Sequence, residues 1–235
     1  MTTARTALLI ADIGGYTAYM GSHRMSLAHA EVNTARMLRS MIKAARGFDL
    51  VEIEGDAAFL SHPVTDREVD GTVDGILRVA TAMHRAFHSE RKYVVDNLCP
   101  CGGCREARDL TLKFVAHIGD VATQHIGGRT KLVGIDVIVA HRLLKAAADI
   151  PEYVLITEDL YNTGPSAVPA DAAEISSDLE GIGSTHAYVV DVRELGGPVP
   201  AAARATWRAR LGSTFMAVGD GLPYMIGLRK PRRAR

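Results

Sequence analysis

The sequence predicts an α+β fold in which helices pack on one face of a mostly antiparallel sheet. Three observations carry this reading. Two long stretches, Ser26 to Ala45 and Val73 to Tyr93, place apolar residues at helical spacing. Several shorter stretches alternate apolar and polar residues with the period of a strand. A Gly55-Asp56 pair separates two such runs within Leu50 to Phe59, the pattern of a tight hairpin turn.

Taken in order, Thr6 to Ile13 reads as a buried strand with Asp12 near its end, and Gly14-Gly15 as a turn. Tyr16 to Met20 reads as a short helical stretch. The first long helix starts at Ser26, an N-cap residue type, and closes at Gly47. In the hairpin that follows, Val51, Ile53, Ala57 and Phe59 are expected on one apolar face. A polar connection, Pro63 to Asp70, leads to the second long helix, with Ile76, Leu77, Ala80, Met83 and Phe87 on one side. After a cysteine-containing loop, Leu110 to Gly119 alternates as a strand, and Asp120 to Gly128 is expected as its hairpin partner. A helix over Ile135 to Ala148, a strand over Tyr153 to Thr157, a short helix over Glu158 to Tyr161 and a strand over His186 to Val192 complete the domain; Asn162 to Ala173 reads as loop. This order fits a ferredoxin-like core with additions. One domain is expected over residues 1–195, with the loop at 97–108 as an insertion, followed by an extension over 196–235.

Composition narrows the function. The 235 residues are 47% hydrophobic, enough for a substantial core, and the formal net charge is zero. A neutral chain has no global electrostatic footprint for nucleic acid, so no nucleic-acid partner is expected. No apolar run approaches the roughly 20 residues that span a bilayer. The stretch MTTARTALLIADI has too short an apolar core for a signal peptide, and a cytoplasmic protein is expected. The Arg229, Lys230, Arg232, Arg233, Arg235 tail reads as a solvated segment, with contact to an anionic membrane surface as the minority reading.

Two carboxylates organise the candidate site. If the first strand lies beside the hairpin, Asp12 and Asp56 meet at one end of the sheet. Two hard oxygen ligands there suit Mg²⁺ or Mn²⁺, which favour carboxylates together with water and substrate phosphates. The competing reading is that both are turn residues, common beside glycine.

Five segments resemble the signatures of class III nucleotidyl cyclase domains, in the order of that family: ADIGGYTAYM (Ala11 to Met20), EIEGDAAF (Glu52 to Phe59), HIGDVATQHIGG (His117 to Gly128), KLVGIDVIVAHRLLKAA (Lys131 to Ala147) and VLITEDLY (Val154 to Tyr161). The chain is also similar to an uncharacterised bacterial cyclase-like subgroup with a CxCxxC loop. The resemblance implies a head-to-tail homodimer that converts a nucleoside triphosphate to the 3′,5′-cyclic monophosphate and pyrophosphate. It implies that Asp12 and Asp56 hold two Mg²⁺ or Mn²⁺ ions with the Ile13 carbonyl, and that Arg142 stabilises the transferring phosphate. It implies that Glu52 and Lys131 read the base; Glu52 stands where guanylyl cyclases carry Glu, which favours GTP over ATP. The chain departs from the family at Ile138, where an Asn is usual, at Lys131, where adenylyl cyclases usually carry Asp and guanylyl cyclases often Cys, and within Leu179 to Gly183, where many members carry a triphosphate-binding Lys; a salt bridge between Glu52 and Lys131 is the other reading of that pair. These departures motivate an alternative: a degenerate cyclase fold that binds a nucleotide or another small ligand and signals without turnover.

Cys99, Cys101 and Cys104 are too local and too few for a disulfide framework. Their spacing suits structural Zn²⁺, which takes four ligands, the fourth coming from His84 or His88, from a partner chain or from solvent. Incidental reduced thiols and a redox switch are the other readings. His117 and His141 are expected as core histidines.

Overall fold

A computed structural model describes residues 3–22, 27–97, 102–146 and 148–196, with 206, 207 and 212. Its elements are β1 (Thr3–Gly14), α1 (Tyr16–Ser22), α2 (Leu27–Ala44), β2 (Asp49–Glu54), β3 (Ala57–Pro63), α3 (Thr72–Asn97), α4 (Gly102–Glu106), β4 (Thr111–Ile126), β5 (Arg129–Val133), α5 (Ile135–Leu143), β6 (Tyr153–Thr157), α6 (Glu158–Tyr161), β7 (Ala173–Leu179), β8 (Gly183–Asp191) and α7 (Val192–Gly196). The eight strands form one sheet in the order β2-β3-β1-β4-β6-β8-β7, with β5 paired to β4. The β4–β6 pair is parallel and the other pairs are antiparallel.

Strand alternation sorts the core into two sides. Ala7, Leu9, Ala11 and Ile13 of β1, Leu112, Phe114, Ala116 and Ile118 of β4, and Val154 and Ile156 of β6 face the long helices α2 and α3. Leu8 and Ile10 of β1, Val115 of β4 and Leu155 of β6 face the other way, toward Val139, Ala140 and Leu143 of α5. Helices thus cover both faces of the sheet, where the sequence predicts one. The short α5 segment is rich in apolar residues all round, so its periodicity does not reveal which sheet face it takes.

Three further expectations are corrected. Residues 120–126 do not turn back as a hairpin partner: β4 continues to Ile126, and the partner is β5, joined through Gly127 and Gly128 at positive φ. β7, inside a stretch too polar to read as a strand, forms a hairpin with β8 at the edge of the sheet. Ile53 is exposed while Ala57 and Phe59 are buried, because the β2–β3 register shifts between Leu50 and Glu52 and redirects the side chains of β2. Ser26, Cys99, Cys101 and the basic tail lie outside the described residues.

Candidate nucleotide and metal site

The site begins with backbone pairing. The β1–β3 register sets Asp12 opposite Ala57, so the β2–β3 turn delivers Asp56 beside the end of β1. The Ile13 N–H donates to the Asp56 carbonyl at 3.4 Å, tying the two segments together. Gly55 occupies the turn at φ 65°, a region L side chains rarely adopt. Burial, and then the neighbouring Asp12 charge, raise the Asp56 carboxyl above its ordinary value. The pair that the sequence reading set at one sheet end is therefore close enough to interact electrostatically.

The carboxylates have neighbours the sequence reading missed. Lys113, directly opposite Asp12 in the β1–β4 ladder, places Nζ 3.3 Å from Asp12 Oδ2 and donates to the Leu144 carbonyl at 3.0 Å. A lone lysine inside the apolar strand LTLKFVAH was the available signal. The Tyr16 phenol is raised by burial, then by the charges of Asp56 and Glu31, which sets it near the acid turn. Mutual repulsion at Asp56 and a cationic partner at Asp12 are features of a donor set that fits a divalent cation: hard oxygens whose negative charge calls for neutralisation.

The base-reading candidates also meet. Glu52 on β2 and Lys131 on β5 form an ion pair at 3.6 Å, at a shallow surface cavity of about 400 Å³ that Val51 and Thr130 also line. Both side chains are substantially exposed, so the pair opens at little energetic cost. Arg142, at the end of α5, is half-buried; its Nη1 is buried with no hydrogen-bond partner among the described residues. A guanidinium N–H in that state favours an acceptor anion. Ile138, one turn earlier, is 44% exposed.

The histidines divide. His117 is buried as expected, its Nε2 3.0 Å from Asp136 Oδ1 and its Nδ1 2.9 Å from Thr157 Oγ1. A carboxylate accepts at Nε2–H, so Nδ1 accepts from the threonine hydroxyl. Asp136 also accepts the Asp120 N–H at 2.9 Å, locking the start of α5 to β4. His141, expected in the core, is instead half-exposed beside Glu54 at 3.5 Å, with Phe59 against its ring edge.

His84 and His88 are buried, and both ring Nε2 atoms face Glu152. Cys104 is also buried, but it lies against Asn33, whose Nδ2 is 3.5 Å from the sulfur. Among the described residues, His84 and His88 are grouped with Glu152 rather than with a cysteine.

With this geometry in place, comparisons locate the chain among known proteins. The model of a family described as "Protein of unknown function (DUF2652)" matches residues 34–153. The uncharacterized protein Rv2561/Rv2562 of Mycobacterium tuberculosis is 32% identical over 197 residues, covering 83% of this chain and 90% of that protein. Among solved structures, a bacterial light-regulated adenylyl cyclase superposes with a TM-score of 0.57 at 16% identity, covering 82% of this chain and 92% of the other. The guanylate cyclase domain of RhGC from Catenaria anguillulae, solved in complex with GTP, superposes with a TM-score of 0.53 at 18% identity, covering 82% and 100%. The fold is that of adenylyl and guanylyl cyclase domains. No helix among the described residues is long and apolar enough to cross a membrane.

Proposed function

The chain belongs to the DUF2652 family of proteins of unknown function and carries the cyclase fold, and from that premise we propose that it is a metal-dependent nucleotidyl cyclase. The reaction is attack of the ribose 3′-oxygen on the α-phosphorus of a purine nucleoside triphosphate. The O3′–P bond forms, the bond from the α-phosphorus to the pyrophosphate oxygen breaks, and the cyclic monophosphate and pyrophosphate are the products. The observation that carries this reading is the meeting of Asp12 and Asp56 at one end of the sheet, in a fold shared with cyclase domains.

Asp12, Asp56 and the Ile13 carbonyl would hold Mg²⁺ or Mn²⁺, two ions per site. Bound there, the ions supply activation of the 3′-hydroxyl and neutralisation of the leaving pyrophosphate. Lys113 keeps Asp12 oriented and partly neutralised before substrate arrives. Arg142 of the partner subunit offers its unsatisfied Nη1 to the charge that develops on the transferring phosphate, a task suited to a fixed multi-donor cation. Glu52 accepts from guanine N1–H and N2–H once its pairing with Lys131 opens, which favours GTP over ATP. The site is therefore shared across a head-to-tail homodimer.

A second reading rests on a different observation. Ile138 presents an apolar side chain to solvent where cyclases carry Asn, and Leu179 to Gly183 closes the β7–β8 hairpin without a lysine. A degenerate fold that binds a nucleotide without turnover accounts for both. Incubating the purified protein with each of the four nucleoside triphosphates and Mn²⁺ or Mg²⁺, followed by mass spectrometry of the products, separates the two. A cyclic monophosphate that disappears in Asp12→Ala supports the cyclase. A folded dimer that binds triphosphate and yields no product with any of the four supports the second reading.

A further inference from the structure

The core-facing stripe of α3 runs through Val73, Ile76, Leu77, Ala80, Met83 and Phe87, and two of its positions are imidazoles: His84 and His88. They are four residues apart, so their rings lie one turn apart on the buried side, with centroids 4.2 Å apart and planes tilted by 58°. Glu152, immediately before β6, reaches them from the sheet: Oε2 lies 3.2 Å from His84 Nε2 and Oε1 lies 2.8 Å from His88 Nε2. All three residues are no more than 7% exposed. The Leu112 N–H donates to Oε1 at 3.0 Å and fixes the carboxylate from β4.

We propose that His84, His88 and Glu152 form a buried transition-metal site, with Zn²⁺ the metal their chemistry best fits. Two neutral imidazoles and one carboxylate are an open three-ligand set of the kind zinc accepts, with water in the fourth position. The ligand atoms lie within 4.8 Å of one another. Tetrahedral zinc with bonds of about 2.0–2.2 Å sets neighbouring ligand atoms roughly 3.3–3.5 Å apart, so the two imidazole-to-carboxylate separations of 3.2 and 2.8 Å need only a small expansion to admit the ion. Nitrogen donors disfavour Mg²⁺ and Ca²⁺, which separates this site from the all-oxygen donors at Asp12 and Asp56.

The position has a structural consequence. Leu112, which braces Glu152, precedes Lys113, which pairs with Asp12. His84 and His88 belong to α3, which packs on the face that the Leu112 side chain takes, whereas the Lys113 side chain turns to the other face to meet Asp12, so the metal cluster and the carboxylate pair stand on opposite faces of the sheet. A bound ion fastens α3 to the sheet at the end that carries the proposed nucleotide site. This inference is independent of the cyclase reading.

The test uses the full chain, purified without a polyhistidine tag. Metal content is measured by mass spectrometry, and chelator-stripped protein is then titrated with Zn²⁺ and with Co²⁺. About one equivalent is expected, with a rise in Tm that chelator reverses and a tetrahedral Co²⁺ spectrum lacking a thiolate charge-transfer band. Glu152→Gln should lower metal affinity at least tenfold, whereas Asp56→Ala and a variant with all three cysteines changed to serine should retain it. Protein that neither carries nor takes up either ion overturns the proposal and leaves a hydrogen-bonded cluster only. Metal lost with the cysteines, or a Co²⁺ spectrum of the unsubstituted chain dominated by thiolate, overturns it in favour of a cysteine site. Metal lost in Asp56→Ala overturns it in favour of the carboxylate pair. The Co²⁺ spectrum of the unsubstituted chain stands even if Glu152→Gln fails to fold.

Discussion

Two acidic clusters share one end of the sheet and behave as opposites. On the α5 side, Asp12 and Asp56 are half-buried, repel one another and are offset by a single lysine. On the α3 side, Glu152 is buried, and its oxygens are taken up by two histidines and a backbone N–H. The difference lies in what each tolerates. Carboxylates near solvent can exchange a lysine for a metal ion or a substrate, because water screens the intermediate states. A buried carboxylate cannot be left without its partners, because desolvation is then uncompensated. The first arrangement suits a site that turns over ligands and the second a fixed strut.

The comparison breaks most sharply at its two acids. Asp56→Ala is expected to abolish cyclic-nucleotide formation and leave Tm unchanged or slightly raised, because removing one carboxylate relieves the repulsion at Asp12. Product formation at the unsubstituted rate would sink the proposed mechanism. Glu152→Ala should act in reverse, costing about 2–4 kcal/mol in urea unfolding because two buried imidazoles and an N–H lose their acceptor. A cost near zero would mean that the cluster is not a strut.

Arg142→Ala is expected to lower turnover about 10²-fold or more with little loss of stability, and Arg142→Lys should restore it only partly. Equal rates in all three proteins would remove Arg142 from the site. Gly119→Ala tests another acid, the half-buried Asp136. A Cβ at Gly119 would fall 2.1 Å from Asp136 Cγ, in a side chain that His117 and Asp120 hold in place. A loss of about 1–3 kcal/mol is expected in urea unfolding. The smallest effect belongs to the exposed Glu52–Lys131 pair: Lys131→Ala should change stability by less than about 1 kcal/mol while altering the relative rates with GTP and ATP. An unchanged preference would detach Lys131 and its partner from base reading.

Much of this was legible in the chain. The Gly55-Asp56 turn, the strand that carries Asp12 to the sheet end and the two long helices each follow from local periodicity or turn chemistry; the structure has each of these elements, with the strand running past Asp12 to Gly14. The Glu52–Lys131 juxtaposition followed from the cyclase resemblance. What escaped depends on pairing across long separations. The continuation of β4 past Gly119 is set by its alignment with β1 and β5. The lone Glu152 before an apolar strand carries no local signal; its role comes from a helix 64 residues earlier. His84 and His88 were legible as metal-ligand types, but their spacing could not say whether cysteines or a carboxylate would face them.

By itself, then, the sequence determined the two long helices, most of the strands, the acid turn and the likeness to cyclase domains, because these rest on local pattern and motif. Tertiary structure alone decided that α5 covers the second face of the sheet, that Lys113 meets Asp12 and that Glu152 meets two histidines. Those outcomes depend on strand register and on which polar groups are carried out of water together. A buried charge or imidazole must find its partner wherever the fold brings one within reach.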